Sequence, residues 1–549
     1  MLSRRRWVQT IAGMGIGTTT FQRALAAQTG SQPRANVTPE MIQQAEWIAG
    51  ITLTEDERKR LAGMMTSQLQ SFASMRQVKL ENDIPPALVF QPTASHTGQR
   101  ELGSISLAMP RHVSKPRAED DLAFASMITL SHLIRTSQMS SQELTQFYLK
   151  RLKKYDPKLL CVVSLTEDLA MKQAEQADQE IAQGKYRGPL HGIPWGAKDL
   201  IAYPGYKTTW GAGPYKEQTL NTKATVARKL EEAGAVMIAK LTLGALAMGD
   251  GWFGGMTRNP WNIKQGSSGS SAGSASATSA GLVGFAIGTE TLGSIVSPCT
   301  RCGVTGLRPT FGRVSRHGCM ALAWSMDKIG PIARTVEDCA FIFNAIQGID
   351  ADDPSTVDRG FTYPSPKPLR SMRVGYVASS KSIDEREELR TLRDLGVELV
   401  PIKIPAQSRV MPLFTILTAE AGACFDELTR KGIKEGIGTW PGTFQQAQMI
   451  SAVEYLRANR IRTQLMREMD DIMKDIDLYV AGNDLILTNF TGHPQVVMPF
   501  GFNKSSDGTE TPKAITFTGR LFGESELLTV TNAFQQKTGY HLRRPSLPS

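Results

Sequence analysis

The chain has 549 residues, of which 41% are hydrophobic and 21% charged, a globular composition with material for a large core. Its formal charge is +10, but Arg4, Arg5, Arg6 and Arg23 supply four of those charges, and later basic residues are interspersed with acids, as in Glu55-Asp56-Glu57-Arg58-Lys59-Arg60. No basic stripe is interleaved with aromatics, so nucleic acid is not expected as a partner, and six scattered cysteines exclude a disulfide scaffold.

In chain order, residues 1–27 read as a targeting segment. Ser3-Arg4-Arg5-Arg6-Trp7-Val8-Gln9 resembles a twin-arginine export motif; a weakly apolar run from Ile11 to Phe21 and a small-residue site at Ala24-Leu25-Ala26 follow. A basic tail is the other reading. The run is too short and glycine-rich to span a bilayer, and no later stretch has 18 apolar residues, so no membrane is expected for the mature form. Export would place the protein in the periplasm; without it the chain is cytoplasmic.

Residues 28–119 read as a linker plus an N-terminal helical arm. Thr38-Pro39 opens one helix, and Thr54-x-x-Glu57 is a capping box for a second, reaching about Leu80. The Pro-, Ser- and Thr-rich stretch 81–119 reads as a long connection. The main domain is set at 120–549. Within it Ser140-x-x-Glu143 caps a helix through Lys154, with Leu144, Phe147, Tyr148 and Leu152 on one face, and another helix covers Asp168–Gln183. A helix over Thr222–Ala233 precedes a buried strand, Val236–Ala239. Further strands are read at Leu282–Thr289, Met372–Val377 and Gln495–Pro499, with 380–480 mainly helical. Short apolar strands alternating with helices predict an α/β fold.

Three features carry chemistry. Lys198 ends the apolar run Ile193-Pro194-Trp195-Gly196-Ala197. With an ordinary pKa near ~10.4, only about one lysine in 2,500 is neutral at pH 7, so a basic role requires burial to depress it. Taken alone, such a lysine is better explained by a packed stem with a hydrated head. Ser294 follows a predicted strand in Gly288-Thr289-Glu290-Thr291-Leu292-Gly293-Ser294, where turn amides can face a developing oxyanion. Residues 265–281 are a Gly/Ser/Ala run set directly before a hydrophobic strand; that placement favours an ordered, ligand-enclosing loop over a tether.

Together these segments resemble the amidase signature family over roughly residues 120–545. The matches are Gly192-Ile193-Pro194-Trp195-Gly196-Ala197-Lys198-Asp199, Arg258-Asn259-Pro260-Trp261-Asn262, Gly269-Ser270-Ser271-Ala272-Gly273-Ser274, Gly303 to Ser315, Asp327-Lys328-Ile329-Gly330-Pro331 and Thr491-Gly492-His493-Pro494. Ser267 and Ser270 compete for the family's bridging serine; Ser270 lies 24 residues before Ser294, as the family pattern requires, and Ser267 lies 27.

The resemblance implies a central mixed sheet with helices on both faces and a Ser–cis-Ser–Lys triad. Ser294 is the implied nucleophile, Ser270 the proton relay in a cis peptide, and Lys198 the general base. Backbone amides of Thr291, Leu292, Gly293 and Ser294 would form the oxyanion hole. The implied reaction is hydrolysis of a small-molecule or peptide amide with no cofactor or metal; the helical arm 38–80, an added feature, offers a surface for a homodimer. Departures from the family are Glu290 for its aspartate, Leu292 for a glycine, and Val296 for an arginine. Arg301 or Arg308 is then a candidate partner for Glu290, since a buried carboxylate without a cation is unstable.

Two alternatives stand beside this reading. One is a partner-dependent protein of the kind found in glutamyl-tRNA amidotransferase, which passes ammonia to a companion. The other is an α/β-hydrolase-type esterase, because Gly269-Ser270-Ser271-Ala272-Gly273 fits G-x-S-x-G, with Ser271 as nucleophile and His317, His493 or His541 as base. Cys299 and Cys302 form a lone C-x-x-C, and the other four cysteines sit among apolar neighbours. The loop Arg316–Trp324 and residues 380–480 are expected to set the substrate.

Overall fold

A computed structural model describes residues 36–78, 88, 103–106 and 113–547, except 380, 481, 505 and 507. The targeting segment and most of the 81–119 connection lie outside the described residues.

The arm is a pair of helices, α1 (Pro39–Ala49) and α2 (Glu55–Gln77). Each begins as its sequence dictates. Thr38 accepts from the Met41 amide, and Thr54 and Glu57 cap each other reciprocally. Helix α3 (Ser141–Leu159) also opens on a capping box, Ser140 with Glu143, but continues five residues beyond the expected Lys154. Pro157 lies in its last turn without ending it. The chain instead turns at Leu160, where the Asp156 carboxylate accepts from the Cys161 and Val162 amides at 2.7 and 2.9 Å.

The core is one eleven-stranded mixed sheet covered by helices, as expected. Its strands in chain order are β1 (Val162–Leu165), β2 (Pro194–Lys198), β3 (Val236–Leu241), β4 (Phe285–Glu290), β5 (Thr305–Arg308) and β6 (Lys328–Ala333), followed by β7 (Arg373–Val377), β8 (Glu398–Ile402), β9 (Leu478–Val480), β10 (Gln495–Lys504) and β11 (Glu510–Gly519). Their spatial order is β1-β3-β2-β4-β6-β5-β10-β11-β9-β7-β8. Parallel pairing joins β3, β2 and β4, and again β9, β7 and β8; the strands between pair antiparallel. Seven of these strands have no counterpart in the sequence reading. Most are short and lack alternation because both faces are covered: all five residues of β2 are buried, including a glycine and a lysine.

Helices α4 (Ala272–Ser279) and α5 (Val296–Cys302) pack near the middle of the sheet. Helices α6 (Phe414–Cys424), α7 (Trp440–Ala447), α8 (Ala452–Met473) and α9 (Leu485–Thr491) follow. The Gly/Ser/Ala run is therefore ordered, but its second half is a fully buried helix where the sequence suggested a loop. Small side chains let that helix lie against the sheet. A Cβ on Gly273 would come within 2.4 Å of the Thr242 amide nitrogen, and Ser274, Ser276 and Ser279 donate to the carbonyls of Ile287, Arg258 and Cys302. Cys161, Cys299, Cys302 and Cys339 are buried, whereas Cys319 and Cys424 are only partly covered; all six are free thiols. Among the described residues no helix is long and apolar enough to cross a membrane.

Candidate active site

Lys198 is the last residue of β2, where the hydrogen-bonded neighbours β3 and β4 enclose it completely. Gly196 allows that packing, since a Cβ there would fall 2.2 Å from Leu241 Cδ1. The amine meets Ser270 Oγ at 2.8 Å, Thr289 Oγ1 at 2.8 Å, Ser271 Oγ at 3.0 Å and the Thr289 carbonyl at 3.2 Å. Burial pushes its pKa down to about 7; Asp327 and Glu290 pull it upward, but less strongly.

The roles of two hydroxyls follow from their other partners. Ser271 donates to the Thr289 carbonyl at 3.1 Å and accepts from the Thr289 amide at 3.1 Å. Its hydrogen is thus committed, and toward Lys198 it can only accept. The Thr289 carbonyl also only accepts. Two N–H bonds of a neutral amine satisfy these acceptors, which leaves the nitrogen lone pair for the Ser270 or Thr289 hydroxyl.

Ser270 follows a cis peptide after Gly269 and is almost fully buried. Ser294 lies on the turn between β4 and α5 and is the most open of the three at 7% exposure, against 1% for Ser270 and none for Lys198. The two serine segments are tied through the backbone, with the Ser271 amide donating to the Ser294 carbonyl at 3.0 Å. Among the described residues no hydrogen bond joins the two serine hydroxyls. The structure thus brings Lys198 and Ser270 into contact and sets Ser294 on the adjoining turn.

Turn 291–294 is held from both ends. Glu290 Oε2 accepts from the amides of Ile295 and Val296 at 2.8 and 2.9 Å, while its Oε1 meets Arg308 Nη1 at 2.7 Å and Asn489 Nδ2 at 2.8 Å. Arg308 is the buried partner; Arg301 is exposed. Burial alone would raise the Glu290 carboxyl, yet Arg308 and these hydrogen bonds hold it at about 2. At the other end Thr291 Oγ1 donates to Asp327 Oδ1 at 2.5 Å, and Asp327 Oδ2 accepts from the Leu322 and Ala323 amides at 2.8 and 3.0 Å. Gly293 has φ +87°, a left-handed conformation suited to glycine. The amides of Thr291, Leu292, Gly293 and Ser294 make no hydrogen bond among the described residues, so they are available to an incoming oxygen.

A cavity of about 460 Å³ reaches this site at Thr289 and Thr291. Its wall includes Arg316, Cys319, Met320, Leu322, Trp324 and Asp327, so the loop suspected of setting the substrate does line the space. Among its described residues the 380–480 segment supplies no lining residue; it acts behind the wall, where Glu420 of α6 and Arg462 of α8 bind Ser325. Thr289, Asp327 and Asn489 were missed as site residues. Of these, Asp327 had a signal, its place in a matched segment. Ser271 has Lys198 and Thr289 as partners rather than a histidine, and it precedes a helix without following a hydrophobic strand, unlike the elbow serine of the esterase reading. Among the described residues no group of three or more His, Cys, Asp or Glu is arranged to hold a metal.

The Amidase family model matches residues 143–483. A glutamyl-tRNA(Gln) amidotransferase subunit from Roseiflexus castenholzii is 32% identical over 483 residues, covering 76% of this chain and 96% of the relative. The crystal structure of peptide amidase from Stenotrophomonas maltophilia superposes with a TM-score of 0.68 at 30% identity, covering 77% of this chain and 99% of that one. An amidase family protein from Bacillus anthracis gives 0.67 at 27% identity, covering 78% and 93%. With a family model spanning more than half of its length and relatives aligned over three quarters of it, the chain belongs to the amidase signature family.

Proposed function

We propose that this protein hydrolyses the carbon–nitrogen bond of a small-molecule or peptide amide through an acyl-enzyme on Ser294. The carrying observation is the enclosed Lys198 amine, held at about 7 and 2.8 Å from Ser270 Oγ. In this reading the Ser294 proton passes through Ser270 to neutral Lys198 as Ser294 Oγ attacks the carbonyl carbon. The oxygen that becomes negative is received by the free amides of turn 291–294. The C–N bond then breaks, with the proton returned from Lys198 through Ser270 to the departing nitrogen. Water, deprotonated by the same route, attacks the ester; the bond to Ser294 Oγ breaks, the proton held on Lys198 returns through Ser270 to that oxygen, and the carboxylic acid leaves. No cofactor or metal enters these steps.

The test uses purified full-length protein, a panel of chromogenic amides and esters, and site mapping of a fluorophosphonate label. Label on Ser294, with turnover lost in Ser294→Ala and Lys198→Ala, is the expected result. Unchanged turnover in folded Ser294→Ala removes the mechanism. A second reading is favoured by the relatives that carry the name glutamyl-tRNA(Gln) amidotransferase: release of ammonia for a companion protein. Glutamine as the preferred amide, with activity rising on adding a partner, would support it over the self-standing enzyme.

The reading includes export by the twin-arginine route to the periplasm. An epitope-tagged chain should reach the periplasm, and an Arg4→Lys/Arg5→Lys variant should remain inside. It also includes a homodimer, for which exposed Trp47 and Ile48 of α1 offer apolar contact. A monomer by light scattering at micromolar concentration would remove that element.

A further inference from the structure

The N-terminal arm is fastened to the helices that stand behind the cavity wall. Arg76 Nε of α2 meets Glu454 of α8 at 2.8 Å, and Arg457 of α8 donates to the carbonyls of Met75, Arg76 and Val78 at 2.9, 2.9 and 3.0 Å. Earlier in α2, Glu57 accepts from Gln445 of α7 at 2.9 Å and pairs with Lys434 at 2.5 Å. Helix α8 then reaches the wall: Arg462 donates to Ser325 Oγ and to the Ser325 carbonyl at 2.8 and 2.6 Å. Two residues on, Asp327 binds Thr291, the first residue of the turn that carries Ser294.

Apolar packing follows the same course. Phe72 and Met75 of α2 are buried in one cluster with Ala323 and Met326, on the inner side of the loop that forms the wall, and with Leu465 and Met469 of α8. Leu292, the second residue of the turn, packs against this cluster. Two attachments at the start of the turn, the Thr291 hydrogen bond and the Leu292 side chain, therefore end on structure that the arm helps to complete, while Glu290 and Ser271 hold its far end independently.

We infer that α2 is a positioning element of the active site: it fixes the oxyanion turn by closing the cluster under Leu292 and by bracing, through α8, the wall that holds Thr291. The inference rests on the proposed role of turn 291–294. The side chains of Phe72 and Leu292 act through other groups and touch no reacting atom. Leu292→Ala keeps the backbone amide and removes only the packing. Displacement of such a turn by a fraction of an ångström should weaken transition-state contacts more than substrate binding.

The experiment is a double-mutant cycle in the full chain, with Phe72→Ala, Leu292→Ala and the pair, read by fluorophosphonate labelling of Ser294 below the melting temperature. Each single variant should lower the maximal labelling rate by about tenfold and leave the half-saturating probe concentration within about twofold. The pair should be no more than about twofold slower than the worse single variant, because both substitutions release the same turn. Phe72→Leu, which retains apolar volume, should restore the rate to within about twofold of the parent. If Phe72→Ala does not fold, Arg457→Gln removes the carbonyl anchors and should give the same split between rate and affinity. Multiplicative effects in the cycle, or an unchanged maximal rate in the arm variant, would overturn the inference. Loss of labelling in Ser294→Ala alongside an unaffected Phe72→Ala would sink the arm's role alone; label elsewhere than Ser294 would sink both readings.

Discussion

Two lysines lie fully enclosed on adjacent strands, in opposite company. Lys240 of β3 stands 2.8 Å from Asp199 Oδ1, a salt bridge sealed in the core, with further contacts to Thr208 Oγ1 and the Lys207 carbonyl. Lys198 of β2 meets three hydroxyls and a carbonyl, with no carboxylate among its hydrogen-bond partners. Burial is the same; the counter-ion differs. A buried charge is tolerated when paired, whereas an amine denied a pair is driven toward its neutral form. The difference separates a lysine that supports the fold from one equipped to take a proton.

The largest expected effect would break this comparison at Lys198, the proposed base. Lys198→Ala should lower kcat by about 10³–10⁴-fold on any substrate the enzyme accepts. Its melting temperature should stay within about 4 °C of the parent. Steady-state kinetics and calorimetry together check the claim. The converse substitution, Asp199→Ala, leaves Lys240 enclosed without a partner and should destabilise by about 3–5 kcal/mol in a urea titration. Similar stability losses for the two variants would erase the distinction.

A third substitution extends the contrast to the paired carboxylate. Glu290→Gln strips Arg308 of its counter-charge and weakens the hold on the Ile295 and Val296 amides. Stability should fall by about 2–3 kcal/mol in the same titration, together with a reduced kcat. The smallest effect sharpens the comparison. In the proposed mechanism Lys198 must be unprotonated to act, and burial lowers its pKa to about 7, so kcat/KM should rise with pH through that value. Between pH 6 and pH 8 the gain should be about tenfold, with a plateau above. A flat profile over this interval would place the base elsewhere. Glu290, at about 2, remains ionised throughout and does not contribute to that limb.

Much of the site was legible because its signals are local. Lys198 at the end of an apolar run, the glycine-rich serine segment and the Gly293-Ser294 turn each mark themselves by composition. So do Thr54–Glu57 and Ser140–Glu143, whose capping chemistry acts within one helical turn. The central strands were less legible. Strand β2 contains Pro194, Gly196 and Lys198, which oppose strand assignment unless one knows that both faces are covered. The small-residue helix α4 has almost no amphipathic pattern, because every side is buried.

The sequence by itself determined the α/β class, the cap-defined helices and the amidase signature resemblance, and through that resemblance it pointed to Lys198, Ser270 and Ser294 as the proposed Ser–Ser–Lys set. It also marked Glu290 as a carboxylate in need of a cation. Tertiary structure alone decided which cation that is, since Arg308 reaches Glu290 across the sheet from a strand whose position cannot be counted along the chain. Likewise, only folding placed Thr289 and Ser271 around Lys198, Asp327 on Thr291, and a distant N-terminal helix beneath the same turn. The reason is physical: capping and turn chemistry act over a few residues, whereas desolvation, charge pairing and packing depend on segments brought together from tens to hundreds of residues apart.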